Sequence, residues 1–194
     1  MQGCRPLSAA EVALVMQSFG GTFAARDHAL FTLGIFSGFR ITELLSLTVK
    51  DVVQHGQMVD RVTVHRRHMK RKRQSRSVIF HPQAKRALQV WLQDMATRGD
   101  GAPDTYVFKS RKGGNHPISR RHALAILKEA FRSCEMTGTL GTHSMRKTFA
   151  NNVHERLARD VVKTQQALGQ QHITTTIRYL SFRGEEIDQA ILAL

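Results

Sequence analysis

A chain of 194 residues, 41% of them hydrophobic, is long enough to bury a sizeable core and short enough for one domain. Lysine and arginine number 29 against 15 acidic residues, and the formal net charge of +14 selects a polyanionic partner, nucleic acid first and an anionic membrane surface second. No apolar run is long enough to span a bilayer, the opening MQGCRPLSAAEV lacks a signal-peptide core, and Cys4 and Cys134 form no C-x-x-C pair, which argues against membrane-spanning, secreted, disulfide-framework and cysteine-zinc classes. The expectation is a cytoplasmic protein in a reducing compartment.

In chain order, SAAE at 8–11 is a capping-box pattern that opens a helix to about residue 19. A second helical pattern covers 25–37, with Gly38 as its terminator, and 41–47 reads as a short helix with leucines on one face. The period then changes. RVTVHRR alternates Val62 and Val64 with polar residues, and RSVIF is short and β-rich, so the two predict a hairpin whose turn is the basic run HMKRKRQS. Pro82 fits the first turn of a helix to about Thr97, and TYVF, with Tyr106 in the core, is a possible small strand. TRGDGAP at 97–103 and SRKGGNHP at 110–117 are loop-like.

Further helices are predicted over 119–131, 143–157 and 160–168, the last stopped by Gly169, with two short ones at 174–180 and 185–192. The fold class is α+β and mainly helical, with a small antiparallel hairpin or sheet packed on a helical core. Residues 1–194 are read as a single domain, with 181–194 as a C-terminal tail helix. Neither G-x-G-x-x-G nor G-x-x-x-x-G-K-[ST] occurs, so no nucleotide cofactor is expected.

Four segments carry candidate chemistry. In GTHSMRKTFANN, His143 and Arg146 stand three apart at a helix start, where backbone N–H groups and the helix dipole also favour an anion. In SGFRITELLSL, Arg40 stands just past the Gly38 breaker, and Glu43, three residues on, can hold its guanidinium as a rigid fork for phosphate. The basic turn offers Lys70, Arg71, Lys72 and Arg73 to a DNA groove or to a leaving oxygen. Tyr179, in TTTIRYLSF on a short polar helix near the C-terminus, can be a covalent nucleophile. Each alone has a blander reading: a surface basic pair, a helix-surface ion pair, a solvated hairpin, a packing tyrosine.

Together and in this order, GFRITELLSL, a hairpin lysine, HSMR and ALGQQHITTTIRYL resemble the tyrosine recombinase family, also called phage integrases, over residues 8–192. The resemblance implies that Arg40, His143 and Arg146 surround a scissile phosphate. Tyr179 would attack it, leaving a 3′-phosphotyrosyl bond and a free 5′-hydroxyl. It assigns the general acid to Lys70, with Lys72 as the alternative, and gives Glu43 the support of Arg40. It implies no cofactor and no metal, and the scattered histidines (His65, His68, His143, His172) form no convincing ligand set. The implied partner is double-stranded DNA, held by a homotetramer on paired sites that is a monomer in solution, in the nucleoid, without membrane or nucleotide.

Two departures qualify the match. Gln170 stands where the family usually has histidine, occasionally tryptophan; its amide can donate one hydrogen bond to a phosphoryl oxygen but cannot shuttle a proton. His172 is displaced by two residues. Only about seven residues precede the first helix, where family members commonly carry a separate N-terminal domain, and losing that half of the DNA clamp would weaken binding and sharpen its salt dependence. The leading reading is site-specific recombination: integration, excision or resolution. The alternatives are a nonenzymatic DNA-binding remnant and a type IB topoisomerase-like relaxing activity. The tail stripe Ile187, Ala190, Ile191 and Leu194 must be buried, on its own domain or in a neighbouring protomer.

Overall fold

The computed structural model describes residues 3–64, 75–180 and 191–193. By its contacts the chain divides into two compact units, Met1–Phe149 and Ala150–Leu194. Nine helices and two antiparallel strand pairs are formed among the described residues.

In the first unit, α1 (Ala9–Ser18) starts at the predicted capping box: Ser8 Oγ accepts from the Glu11 amide, and a Glu11 carboxylate oxygen accepts from the Ser8 amide at 2.8 Å. Arg5 donates to the same carboxylate, and with the Ser8 bonds this holds Glu11 down to about 2. The most deeply packed helix is α2 (Ala24–Ser37), with Leu30, Phe31, Leu33 and Ile35 all buried. It ends at Gly38, whose left-handed φ of 58° a side chain would resist.

The expected helix over 41–47 is shorter. α3 (Ile41–Leu45) stops, and α4 (Val49–Val52) begins anew because the Asp51 carboxylate accepts from both the amide and the hydroxyl of Thr48. A small hairpin follows that hydrophobic periodicity did not signal: β1 (Val53–Gln54) pairs with β2 (Gln57–Met58) across His55 and Gly56, at φ 51° and 75°. Two successive positive φ values are the mark of a two-residue turn matched to strand twist.

The predicted hairpin forms, with β3 (Arg61–Val64) antiparallel to β4 (Arg76–Ile79) in the register Val62↔Val78 and Val64↔Arg76. The basic residues Lys70, Arg71, Lys72 and Arg73 lie outside the described residues, as does the tail over 181–190. α5 (Pro82–Thr97) keeps Pro82 in its first turn, packs on α2, and buries Ala84, Leu88, Trp91 and Met95. TYVF is not a strand. Tyr106 is half-buried and makes one isolated bridge to Thr48, while the neighbouring backbone is fixed by Val107 N–H to Leu47 and by Trp91 Nε1, which donates to the Val107 carbonyl at 2.7 Å. α6 (Arg120–Ser133), capped by Ser119, buries Ala123, Leu127, Ala130 and Phe131.

α7 (Thr142–Arg156) continues from the first unit into the second. Within the first unit it lies very close to α2. A Cβ on Gly34 would fall 2.5 Å from Met145 Sδ, and one on Gly38 would fall 2.2 Å from Phe149 Cδ1. Two glycines four apart, Gly34 within α2 and Gly38 at its C-cap, thus accept two large side chains four apart on α7. The approach brings Arg146, between them on α7, to the carbonyl end of α2.

In the second unit, Ala158 and Arg159 at positive φ turn the chain into α8 (Val161–Leu168), which Asp160 caps and Gly169 ends at φ 57°. Buried His154 hydrogen-bonds through Nδ1 to Thr164 Oγ1 at 3.0 Å. α9 (Ile173–Ile177) is shorter than expected, so Tyr179 sits on the turn after the helix rather than on it.

Candidate active site

The first unit builds an arginine cluster around the end of α2. Arg40 leads into α3 in extended conformation, and Glu43 grips it twice: Oε2 accepts from the Arg40 amide at 2.8 Å and Oε1 from the guanidinium at 3.0 Å. Glu43 is 2% exposed and Arg40 side chain 31%, so the pair is no ordinary surface bridge. One face of the guanidinium is fixed, and among the described residues Glu43 is its only side-chain partner. The remaining N–H donors stay available to an anion.

Arg146 is 1% exposed and donates to the Gly38 carbonyl. A helix ends with carbonyls that have no partner in the helix and carry the negative end of its dipole, so the end of α2 is a natural seat for a buried guanidinium. His143 and Arg146, expected together on one face, differ in depth: His143 is exposed while Arg146 is buried. They remain electrostatically close. Partial burial of the ring, then the charges of Arg146, Arg40 and Lys147, lower the His143 pKa from its usual 6.5, so the imidazole is neutral at pH 7.

A third arginine belongs to the cluster and was missed in the sequence. Arg76, 7% exposed, donates to the Ser37 carbonyl at 2.9 Å and to the Gly38 carbonyl at 3.2 Å, and stands 3.9 Å from Glu43. Burial and the neighbouring Arg146 push it down to about 9, against the pull of Glu43, which still leaves it charged at pH 7. Burial alone would raise the Glu43 carboxyl; the Arg40 amide and the charges of Arg146, Arg40 and Arg76 outweigh it and keep Glu43 ionised. Three guanidiniums share one carboxylate, a surplus of positive charge in a half-dry place. An oxyanion is the ligand such a surplus stabilises most.

The second unit carries the other predicted residues. Tyr179 is half-buried, and its carbonyl accepts from Asn151 Nδ2 at 3.0 Å, which ties the residue's backbone to α7. Gln170 is 8% exposed; Thr176 Oγ1 donates to its Oε1 at 2.6 Å, which orients the amide, and the buried Nε2 has no partner among the described residues. A desolvated N–H donor left without an acceptor is costly to keep, and a ligand oxygen would satisfy it. His172 is exposed at the N-cap of α9 and makes no side-chain capping bond there.

A basic pocket of about 370 Å³ lies elsewhere on the first unit, lined by Arg26, Ser110, Arg111, Lys112, His116 and His122 among others. Among the described residues no carboxylate lines it, and it opens beside the start of α6. No described helix is long and apolar enough to cross a membrane.

Comparison with known proteins is consistent across sequence and structure. The family model described as "Phage integrase family" matches residues 6–185. The chain is 33% identical over 155 residues to "Probable integrase/recombinase YoeC" of Bacillus subtilis (strain 168), covering 80% of this chain and 77% of that protein. It is 31% identical over 171 residues to "Tyrosine recombinase XerC" of Myxococcus xanthus, covering 84% of this chain but only 53% of XerC. Among solved structures, the XerA recombinase superposes with a TM-score of 0.75 at 21% identity, over 100% of this chain and 64% of XerA. The fold is therefore that of the recombinases, and the chain spans about half the length of XerC.

Proposed function

Because the chain belongs to the phage integrase family, the tyrosine recombinases, we propose that it performs site-specific DNA recombination, cutting and rejoining strands through a 3′-phosphotyrosyl intermediate. The observation that carries the reading is the arginine cluster at the end of α2, where three buried or half-buried guanidiniums gather around Glu43.

Phosphodiester displacement spreads negative charge over the non-bridging oxygens. Arg40 and Arg146 meet that charge with donors already in place, so the transition state gains more than the ground state. Tyr179 supplies the nucleophile: its oxygen bonds to phosphorus and the bond to the 5′-oxygen breaks. A tyrosine with a pKa near 10 is a poor nucleophile at neutral pH, and neutral His143 is the group available to move its proton. Lys70, or Lys72, protonates the departing 5′-oxygen. Gln170 gives its Nε2–H to a phosphoryl oxygen, a neutral replacement for the usual histidine. The phosphotyrosyl bond conserves the energy of the phosphodiester, so a 5′-hydroxyl from another duplex can reverse the step and complete the exchange.

The partner is double-stranded DNA, as XerH is bound to its difH substrate. Two sites are brought together by four copies of the chain, each a monomer before it binds, and the substrate places the protein on the nucleoid in the cytoplasm. The basic pocket beside α6 and the segment 65–74 supply backbone-phosphate contacts, which makes binding salt-dependent. The chain supplies a catalytic domain, and its tail, 181–194, packs on that domain or on a neighbouring copy.

The test uses two differently labelled duplexes made from the DNA flanking the native gene. Recombinant strands are expected only when both duplexes carry the site. Salt-sensitive binding without exchange would favour a nonenzymatic remnant, and relaxation of supercoiled plasmid lacking the site would favour a topoisomerase.

A further inference from the structure

We infer that Arg76 is a positioning residue for the phosphate-binding arginines, locking the strand that follows the basic segment to the turn that carries Arg40. The inference rests on the phosphoryl-transfer reading above. Arg76 is the first residue of β4, paired with Val64, and so stands at the exit of segment 65–74. Its guanidinium reaches away from the sheet to consecutive carbonyls, Ser37 and Gly38, and lies 5.0 Å over the Phe39 ring. Its contacts thus run along residues 37–39, immediately before Arg40.

Two features mark this as alignment rather than generic packing. The Gly38 carbonyl accepts from both Arg76 and Arg146, so moving one guanidinium changes the seat of the other. Glu43, which fixes Arg40, is also only 3.9 Å from Arg76. Arg76 therefore touches the acceptor of one phosphate-binding arginine and the anchor of the other without needing to touch the phosphate. A planar fork can serve two adjacent carbonyls and stack on a ring, whereas a lysine ammonium, a point charge on a flexible stem, can serve them only one at a time. Burying a cation without such a fit would be strongly unfavourable.

The experiment compares wild type, Arg76→Lys, Arg76→Gln and, as a control on the exposed face of the same sheet, Arg61→Gln. Three quantities are read: duplex Kd, the rate of covalent adduct formation at saturating duplex, and amide hydrogen exchange across residues 37–44 in the free protein. For Arg76→Lys the adduct rate should fall at least tenfold, and for Arg76→Gln about 100-fold, the scale of loss from a 1 Å misplacement. Kd should stay within threefold. Exchange over 37–44 should quicken at least tenfold in both Arg76 variants and not in Arg61→Gln. A lysine that restores both rate and protection would overturn the inference, since charge alone would then suffice; so would unchanged exchange and an adduct rate within threefold of wild type. If wild type itself forms no adduct, the phosphoryl-transfer reading fails while the exchange measurement still decides whether Arg76 orders the turn.

Discussion

Arg146→Met should slow covalent adduct formation by about 1,000-fold, the upper part of the range for removing a transition-state donor from a preorganised site. The loss has two parts. One is direct, because a guanidinium that is 1% exposed acts where water screens it little. The other is structural: the Gly38 carbonyl loses a donor, and Glu43 loses one of the charges that keep it ionised. Methionine fills much of the same volume, so the variant tests charge and donors more than packing. Arg146→Lys should recover only part of the rate, since one ammonium cannot match the geometry of the fork. Single-turnover cleavage at saturating duplex is the measurement, and an Arg146→Met rate within tenfold of wild type would remove the residue from the phosphate.

The largest effect on stability should come from Gly38→Ala. The residue has φ 58°, where a Cβ costs about 1–2 kcal/mol. The added carbon would also fall 2.2 Å from Phe149 Cδ1, an overlap that forces α2 and α7 apart at roughly 1–3 kcal/mol more. In a chain of this size a total of roughly 2–5 kcal/mol lowers the thermal midpoint by roughly 5–15 °C. Gly56→Ala separates the two causes: its φ is 75° but nothing lies within 4 Å of the new Cβ, so it should cost only the conformational part. Equal midpoints for the two variants would show that the close approach of α7 contributes nothing. Gly38→Ala should also impair cleavage in whatever fraction stays folded, because the carbonyl shared by Arg76 and Arg146 belongs to this residue.

Local signals in the sequence were reliable wherever one residue type has a single physical use. Ser8 with Glu11, Pro82, Ser119, and Gly38 and Gly169 at left-handed positions all mark helix ends in the structure. Longer-range packing was less legible. TYVF has strand composition, but composition does not supply a neighbouring strand, and Tyr106 found one bridge instead of a ladder. The spacing of His143 and Arg146 put them on one side of α7 without saying which would turn inward. The close approach at Gly34 and Gly38, a tertiary property, decides that.

Arg76 escaped for a related reason. In RSVIF an arginine at the strand start reads as a solvated end. Its period-two partner is Val78 and its cross-strand partner is Val64, buried, and that pairing was the available sign that the side chain turns inward. The hairpin lysines rest on sequence resemblance, since residues 65–74 lie outside those described.

The most direct measurement is covalent trapping on nicked suicide duplexes made from the DNA flanking the native gene, comparing wild type with Tyr179→Phe by denaturing electrophoresis. Phosphotyrosine chemistry predicts a protein–DNA adduct through the 3′-phosphate in wild type and none in Tyr179→Phe, with Gln170 tolerated in place of histidine. An adduct that persists in Tyr179→Phe, or wild-type protein that binds the duplex in a salt-sensitive way and never becomes attached, would contradict it.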